Sequence, residues 1–133
     1  MNRQRCFCLR AVMATMQLRF SRMFRALVKE YFDEESLSVF IDRLIQVPTA
    51  GALVPGLHGI RKIRAPDTLF NKGTRFGLRV LYSYHAERQL ILLYLAYRKR
   101  DQLDILPHQR AFLIHLALSD YEDDDVWYNP RNN

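Results

Sequence analysis

The sequence predicts an α+β fold: a short N-terminal strand, an α-hairpin, a small and mainly antiparallel sheet of about four strands, and a C-terminal helix. Three features predict it. Apolar residues recur at helical spacing in two successive segments before Pro48. Between residues 60 and 97 the pattern changes to strand-like runs separated by a glycine-bearing loop and a turn-length break. Helical spacing returns after Pro107.

Residues 16–20 (MQLRF) alternate apolar and polar and form the first strand. Ser21 is a side-chain N-cap, followed by Phe24, Leu27, Val28 and Tyr31 at i, i+3, i+4 and i+7. Asp33 caps a second helix, and Glu34 and Glu35 suit the positive end of its dipole. Leu37, Phe40, Ile41, Leu44 and Ile45 make the buried stripe, and Pro48 stops the helix. Gly51, Pro55, Gly56 and Gly59 mark a loop over residues 49–59. Residues 60–65 form a strand, and residues 66–77 a polar loop with Lys72, Gly73, Arg75 and Gly77. Residues 78–84 (LRVLYSY) form the next strand and residues 85–88 a turn. The nearly unbroken apolar run 89–97 (QLILLYLAY) is open to a helix, since Leu and Ala are helix formers, but the short preceding turn and the flanking strand favour a strand covered on both faces. Pro107 suits the first turn of the last helix, with Phe112, Leu113, Leu116 and Ala117 on one face.

One domain over residues 16–118 accounts for these elements. Residues 1–15 are basic and free of acid, and are read as a disordered extension or an over-long start with Met16 as the true beginning. Residues 119–133 are read as an acidic, flexible tail. Cys6 and Cys8 form neither a disulfide framework nor a zinc site, so a reducing cytoplasm is expected. No apolar run has the length of a membrane span. The four histidines are scattered, and there is no P-loop, Rossmann fingerprint or nucleophile elbow; no cofactor and no metal is expected.

Charge is the strongest functional signal. The chain carries a formal +6, unevenly spread. Residues 59–100 hold ten Lys or Arg against Asp67 and Glu87, whereas residues 101–133 hold two basic and seven acidic side chains. Cations fixed on a sheet and its connecting loop make an anion site, and a polyanion such as RNA is the natural occupant. Strict alternation puts Arg79, Leu81 and Ser83 on one face, and Val80, Tyr82 and Tyr84 on the other. Tyr82 is therefore read as core, and Arg88, in the hairpin turn, as solvated.

Over roughly residues 31–112 the sequence resembles the RelE/HigB-like toxins of bacterial toxin–antitoxin modules, closest to the HigB branch. The resemblance rests on residues 31–34 leading into the second helix, Pro48 and Gly51 after it, and GIRKIR from Gly59. It continues through KGTR from Lys72, GLRVLYSY from Gly77, LYLAYRK from Leu93, and Asp101 and Asp104. It implies a small, metal-independent mRNA endoribonuclease of the cytoplasm that acts on the translating ribosome. It also implies a cognate antitoxin of helix-turn-helix type as partner. Two positions depart from the family pattern. Phe76-Gly77-Leu78 replaces paired glycines, and no tyrosine stands near Ile105 and Leu106. Tyr97 or Tyr84 is left to take the tyrosine's role.

Such an enzyme lets the RNA 2′-hydroxyl attack the adjacent phosphorus, so the protein must align the attack, neutralise growing negative charge and move protons. The expected catalytic set is Lys62, Arg64, Arg79, Lys99 and Arg100. Arg79 and Arg64 would hold the phosphate, Lys62 would act as base, and Lys99 or Arg100 would neutralise the leaving oxygen. Arg61, Lys72, Arg75, Tyr84, Tyr97 and Arg98 are expected to contact RNA, the tyrosines by stacking on bases. Three other readings are a nucleic-acid-binding module that does not cut, a ParE-like gyrase poison on the same fold, and a degenerate toxin.

Overall fold

The apolar run after the hairpin turn becomes the middle of the sheet because both of its faces are covered. The computed structural model describes residues 16–69 and 77–131. The elements in order are β1 (Gln17–Ser21), α1 (Arg22–Tyr31), α2 (Glu34–Gln46), β2 (Ala52–Leu53), β3 (Arg61–Ala65), β4 (Leu78–His85), β5 (Leu90–Arg98), α3 (Pro107–Ala117) and β6 (Trp127–Tyr128). The fold is α+β, built on one mixed six-stranded sheet in the order β2-β3-β4-β5-β1-β6. β1 runs parallel to β5, and the other pairings are antiparallel.

The helix starts follow their local chemistry. The Ser21 hydroxyl accepts from the Phe24 N–H at 3.0 Å. Asp33 accepts from the Ser36 N–H at 2.7 Å while the Ser36 hydroxyl accepts from the Asp33 N–H at 3.1 Å, a reciprocal cap. These contacts hold the Asp33 carboxyl below its usual range, chiefly through the Ser36 N–H. Pro107 opens α3, and Gln109 accepts from the Leu106 N–H at 2.9 Å.

Two apolar layers flank the sheet. On one face, Phe24, Phe32, Phe40, Leu44 and Ile45 from the α-hairpin pack on Leu18, Phe20, Val80, Tyr82, Ile91, Leu93 and Ala96. On the other, Leu113 and Leu116 of α3, with Leu57, Ile60 and Trp127, pack on Leu81, Leu92, Tyr94, Leu95 and Tyr97. The buried Tyr82 hydroxyl donates to Pro48 O at 2.7 Å and accepts from the Gly51 N–H at 2.9 Å, tying the loop after α2 to the sheet. A Cβ at Gly51 would lie 2.8 Å from Tyr82 Cε1, so this close approach requires glycine.

β4 and β5 do not pair in simple register. Leu81 faces Leu95 but Tyr82 faces Leu93, leaving Tyr94 as an extra residue on β5. This bulge puts Tyr94 and Leu95 in the same apolar layer and reverses the alternation beyond them. Tyr94 is held throughout its length. Its carbonyl accepts from the Ser21 hydroxyl at 2.5 Å, its own hydroxyl meets Ser83 Oγ at 2.9 Å, and its ring meets the Trp127 ring edge-on at 5.2 Å. Burial pushes its hydroxyl up to about 12.

The structure corrects the sequence reading in two places. The sheet has six strands rather than about four, because β2 arises inside the expected loop and β6 inside the expected tail. Residues 119–131 are not a frayed tail: Trp127 is buried, its Nε1 donates to Ser119 Oγ at 3.0 Å, and β6 pairs with β1. The expected extension 1–15 lies outside the described residues. No helix among the described residues is long and apolar enough to cross a membrane. Trp127→Ala is expected to lower stability by about 3–5 kcal/mol, read as a fall in the urea unfolding midpoint. A change within about 0.5 kcal/mol would return this segment to the status of a loose tail.

Candidate functional site

Alternation along β3 places Lys62 and Arg64 on one face, with Arg61 and Ile63 on the other. Arg64 stands directly opposite Arg79 on β4, and Arg79 opposite Tyr97 on β5. Beyond the bulge the phase of β5 sends Arg98 to the α-hairpin face. The chain then leaves the sheet with the Lys99 N–H bonded to Gly77 O at 2.9 Å. The result is a hollow of about 760 Å³ lined by Ala52, Lys62, Arg64, Arg79, Lys99, Arg100 and Leu103. All five residues expected to be catalytic line it.

The electrostatics of this hollow favour an anion. Arg79 is only 6% exposed. Burial, and then the neighbouring Arg64, hold its guanidinium below the ordinary arginine value. Like charges opposite each other on adjacent strands repel, and an anion placed between them relieves the repulsion. The loop after β5 lies against the hollow. Lys99 Nζ donates to Leu103 O, Lys62 Nζ lies 3.3 Å from Asp104 Oδ1, and Arg100 Nε lies 3.5 Å from Asp101 Oδ1. Asp104 also accepts from the Ile105 N–H at 2.7 Å. That backbone bond first, and Lys62 second, hold its carboxyl below the usual range.

The residues expected to bind RNA behave differently. Arg61 donates to Thr49 O at 3.2 Å and to Gly51 O at 2.7 Å, so it fastens the loop after α2. Arg98 Nε lies 2.8 Å from Asp67 Oδ2, its Nη2 donates to Glu30 O, and its guanidinium lies 5.0 Å from the Tyr31 ring centroid. It joins the sheet to α1 on the face away from the hollow. Tyr84 packs half-buried against the α-hairpin layer. Tyr97 is on the hollow's side of the sheet, but its ring is buried at 3% exposure and cannot stack on a base. Its hydroxyl is pushed up by burial and by Asp104, with Arg79 opposing. That hydroxyl has no hydrogen-bond partner among the described residues. Lys72 and Arg75 lie outside the described residues. Arg88 donates to the Tyr121 hydroxyl at 3.2 Å instead of standing alone in solvent.

Asp104 and Leu103 were not among the expected site residues. Leu103 carries no sequence signal beyond its position before α3, and Asp104 enters only as one position of the family resemblance, with no role assigned to it. A second, apolar groove of about 530 Å³ lies between α2 and the outer edge of β3, lined by Val39, Phe40, Val47 and Ile63 among others. Asp33 and Glu35 share its rim with Arg43, so it lacks the single sign of charge that a polyanion needs.

Asp67 is 1% exposed, and Arg98 is its ion-pair partner. Arg98→Met is expected to cost about 3–5 kcal/mol, because it strands a buried carboxylate. Arg100→Met, at a half-exposed position, should change stability by less than about 1 kcal/mol; paired urea unfolding curves check both. No protein-family model matches the chain.

Proposed function

We propose that this chain is the toxin of a RelE/HigB-like toxin–antitoxin module, a metal-independent endoribonuclease that cuts mRNA on the translating ribosome in the cytoplasm. One observation carries the reading: five cationic side chains from β3, β4 and the segment after β5 converge on a single hollow. A phosphodiester undergoing attack gains negative charge, and fixed cations stabilise that state more than the ground state.

In the reaction the RNA 2′-oxygen bonds to phosphorus and the bond to the 5′-oxygen breaks, leaving a 2′,3′-cyclic phosphate and a 5′-hydroxyl. Arg64 and Arg79, adjacent across the strands, clamp the non-bridging oxygens. Lys62 is the base that takes the 2′-hydroxyl proton. Lys99 or Arg100 neutralises the leaving oxygen, and Lys99 can hand it a proton. With the Tyr97 ring buried, the described residues offer the RNA a phosphate site rather than an aromatic stacking platform. Codon choice in this reading comes from the ribosome. The antitoxin, of helix-turn-helix type, silences the enzyme either by covering the hollow or by blocking ribosome entry.

The test is primer extension on translated messages in cells expressing the chain. New 5′ ends should appear with the native sequence. They should fall by about 100-fold or more in the Lys62→Ala/Arg79→Ala double variant, as when a preorganised anion-stabilising group is lost, and growth arrest should disappear with them. Binding of RNA without new ends would leave the non-cutting nucleic-acid module. Full growth arrest by a folded double variant would remove these residues from the mechanism.

A further inference from the structure

The hollow is not cationic all round. At about 760 Å³ it lies in the range, roughly 300–1,000 Å³, that holds a small organic molecule and not merely one phosphate group. Two of the residues that line it are apolar, Ala52 and Leu103. Ala52 stands opposite Lys62 across β2 and β3, so its methyl group shares the face of the cations. Leu103 is 80% exposed, more than any other large apolar side chain among the described residues. A single leucine in solvent is ordinary; this one is set apart by how it is held. Lys99 Nζ donates to its carbonyl, so a cation of the hollow fixes the backbone that carries it. On one side, the Gln102 N–H bonds to Arg98 O at 3.3 Å and its side chain donates to Gln109 Oε1 at 2.8 Å. On the other, Asp104 accepts from the Ile105 N–H and lies 3.3 Å from Lys62. The backbone is anchored on both sides, while the side chain stands in solvent at the edge of the hollow.

An apolar wall beside fixed cations matches the two halves of a nucleotide. We propose that Leu103, with Ala52, forms a nucleobase subsite, against which a base next to the clamped phosphate packs. This rests on the reading of the hollow as an RNA site, and it adds the part of the ligand that the cations do not touch. Every base has an apolar face, and covering it with an aliphatic side chain takes area of both partners out of water. No aromatic side chain of the described residues lines the hollow, so the aliphatic wall takes that part. Leucine offers no hydrogen bond, so the subsite tells a nucleotide from a bare phosphate but does not read which base is present. A purine, with the larger face, gains more from it than a pyrimidine.

The experiment uses the full chain and two fluorescent oligomers of equal length and charge. One is a fully 2′-O-methylated oligoadenylate, which lacks the attacking hydroxyl; the other carries abasic sugars throughout. Anisotropy at low ionic strength then reads binding alone. The native chain should bind the oligoadenylate more tightly than the abasic oligomer. Leu103→Ser should weaken oligoadenylate binding by about 3- to 10-fold, the range for partly burying one leucine side chain, and leave abasic binding unchanged. Leu103→Met should restore the preference. The position is exposed, so the unfolding midpoint of both variants should match the native one. Native oligoadenylate affinity in Leu103→Ser, or an equal loss on both oligomers, overturns the proposal, as does a native chain that binds neither oligomer. Cleavage of unmodified RNA is followed separately on gels. A chain that shows the Leu103-dependent preference for bases yet never cuts would sink the nuclease and leave the subsite standing.

Discussion

The site depends on one extra residue in the middle strand. Without Tyr94 as a bulge, β5 would keep a single alternation from Leu90 to its end. Tyr97 would then face the α-hairpin and Arg98 the cationic side. The bulge exchanges them: Tyr97 comes to lie across from Arg79, and Arg98 is sent to Asp67 and α1. A bulge interrupts the ladder and frees backbone groups, so it persists only where those groups find other partners. Here Ser21 takes the Tyr94 carbonyl, Ser83 meets its hydroxyl and Trp127 covers its ring. The residue that caps α1 thus also holds the irregularity that sets the face of the distant cations.

Arg79 illustrates how fold and charge constrain each other. It sits where an apolar residue would be cheaper, between Arg64 on one strand and buried Tyr97 on the next. Its depressed guanidinium value reflects that burial, and the charge persists because arginine does not give up its proton at any ordinary pH. Arg98 is buried for the opposite purpose. Its partner Asp67 is an acid in the same interior, and the pair joins a strand end to the loop after β3. Adjacent basic residues, Arg98 at the end of β5 and Lys99 just beyond it, therefore do unrelated things.

Much of this architecture was legible in the sequence because its signals are local. Ser21, Asp33, Pro48 and Pro107 mark helix boundaries through chemistry confined to one turn, and the structure places helices at each. Lys62 and Arg64 were legible as a pair because the apolar Ile63 between them reveals the alternation. β2 and β6 were not legible. Each is two residues long, too short for any periodicity, and exists only because a partner strand is waiting. The phase of β5 was hidden for a different reason. A strand buried on both faces has no alternation to read, so LILLYLAY cannot show where the pattern reverses. That gap misplaced Arg98; Tyr97 lies on the hollow's side, and it was the burial of its ring that the sequence did not show. Tyr84 was misjudged differently: its face followed from alternation, but its packing against the α-hairpin did not. Asp104 was read only as one position of the family resemblance, because an acid between strand and helix is ordinary, and its proximity to Lys62 appears only in the fold.

The anchoring of Trp127 also fixes where the negative charge can go. Strand β6 sits at the opposite end of the sheet order from β2 and β3, so the run Glu122, Asp123, Asp124, Asp125 just before it is pinned away from Lys62 and Arg64. The acids do not fold over the cations and cancel them. They share that flank with Arg25, Arg88 and Arg131, held against Tyr128, the Tyr121 hydroxyl and Met16 O, so the end of the sheet farthest from the hollow carries charge of both signs. In the proposed reading, cations concentrated at one end and mixed charge at the other would turn a diffusing copy hollow-first towards a polyanion.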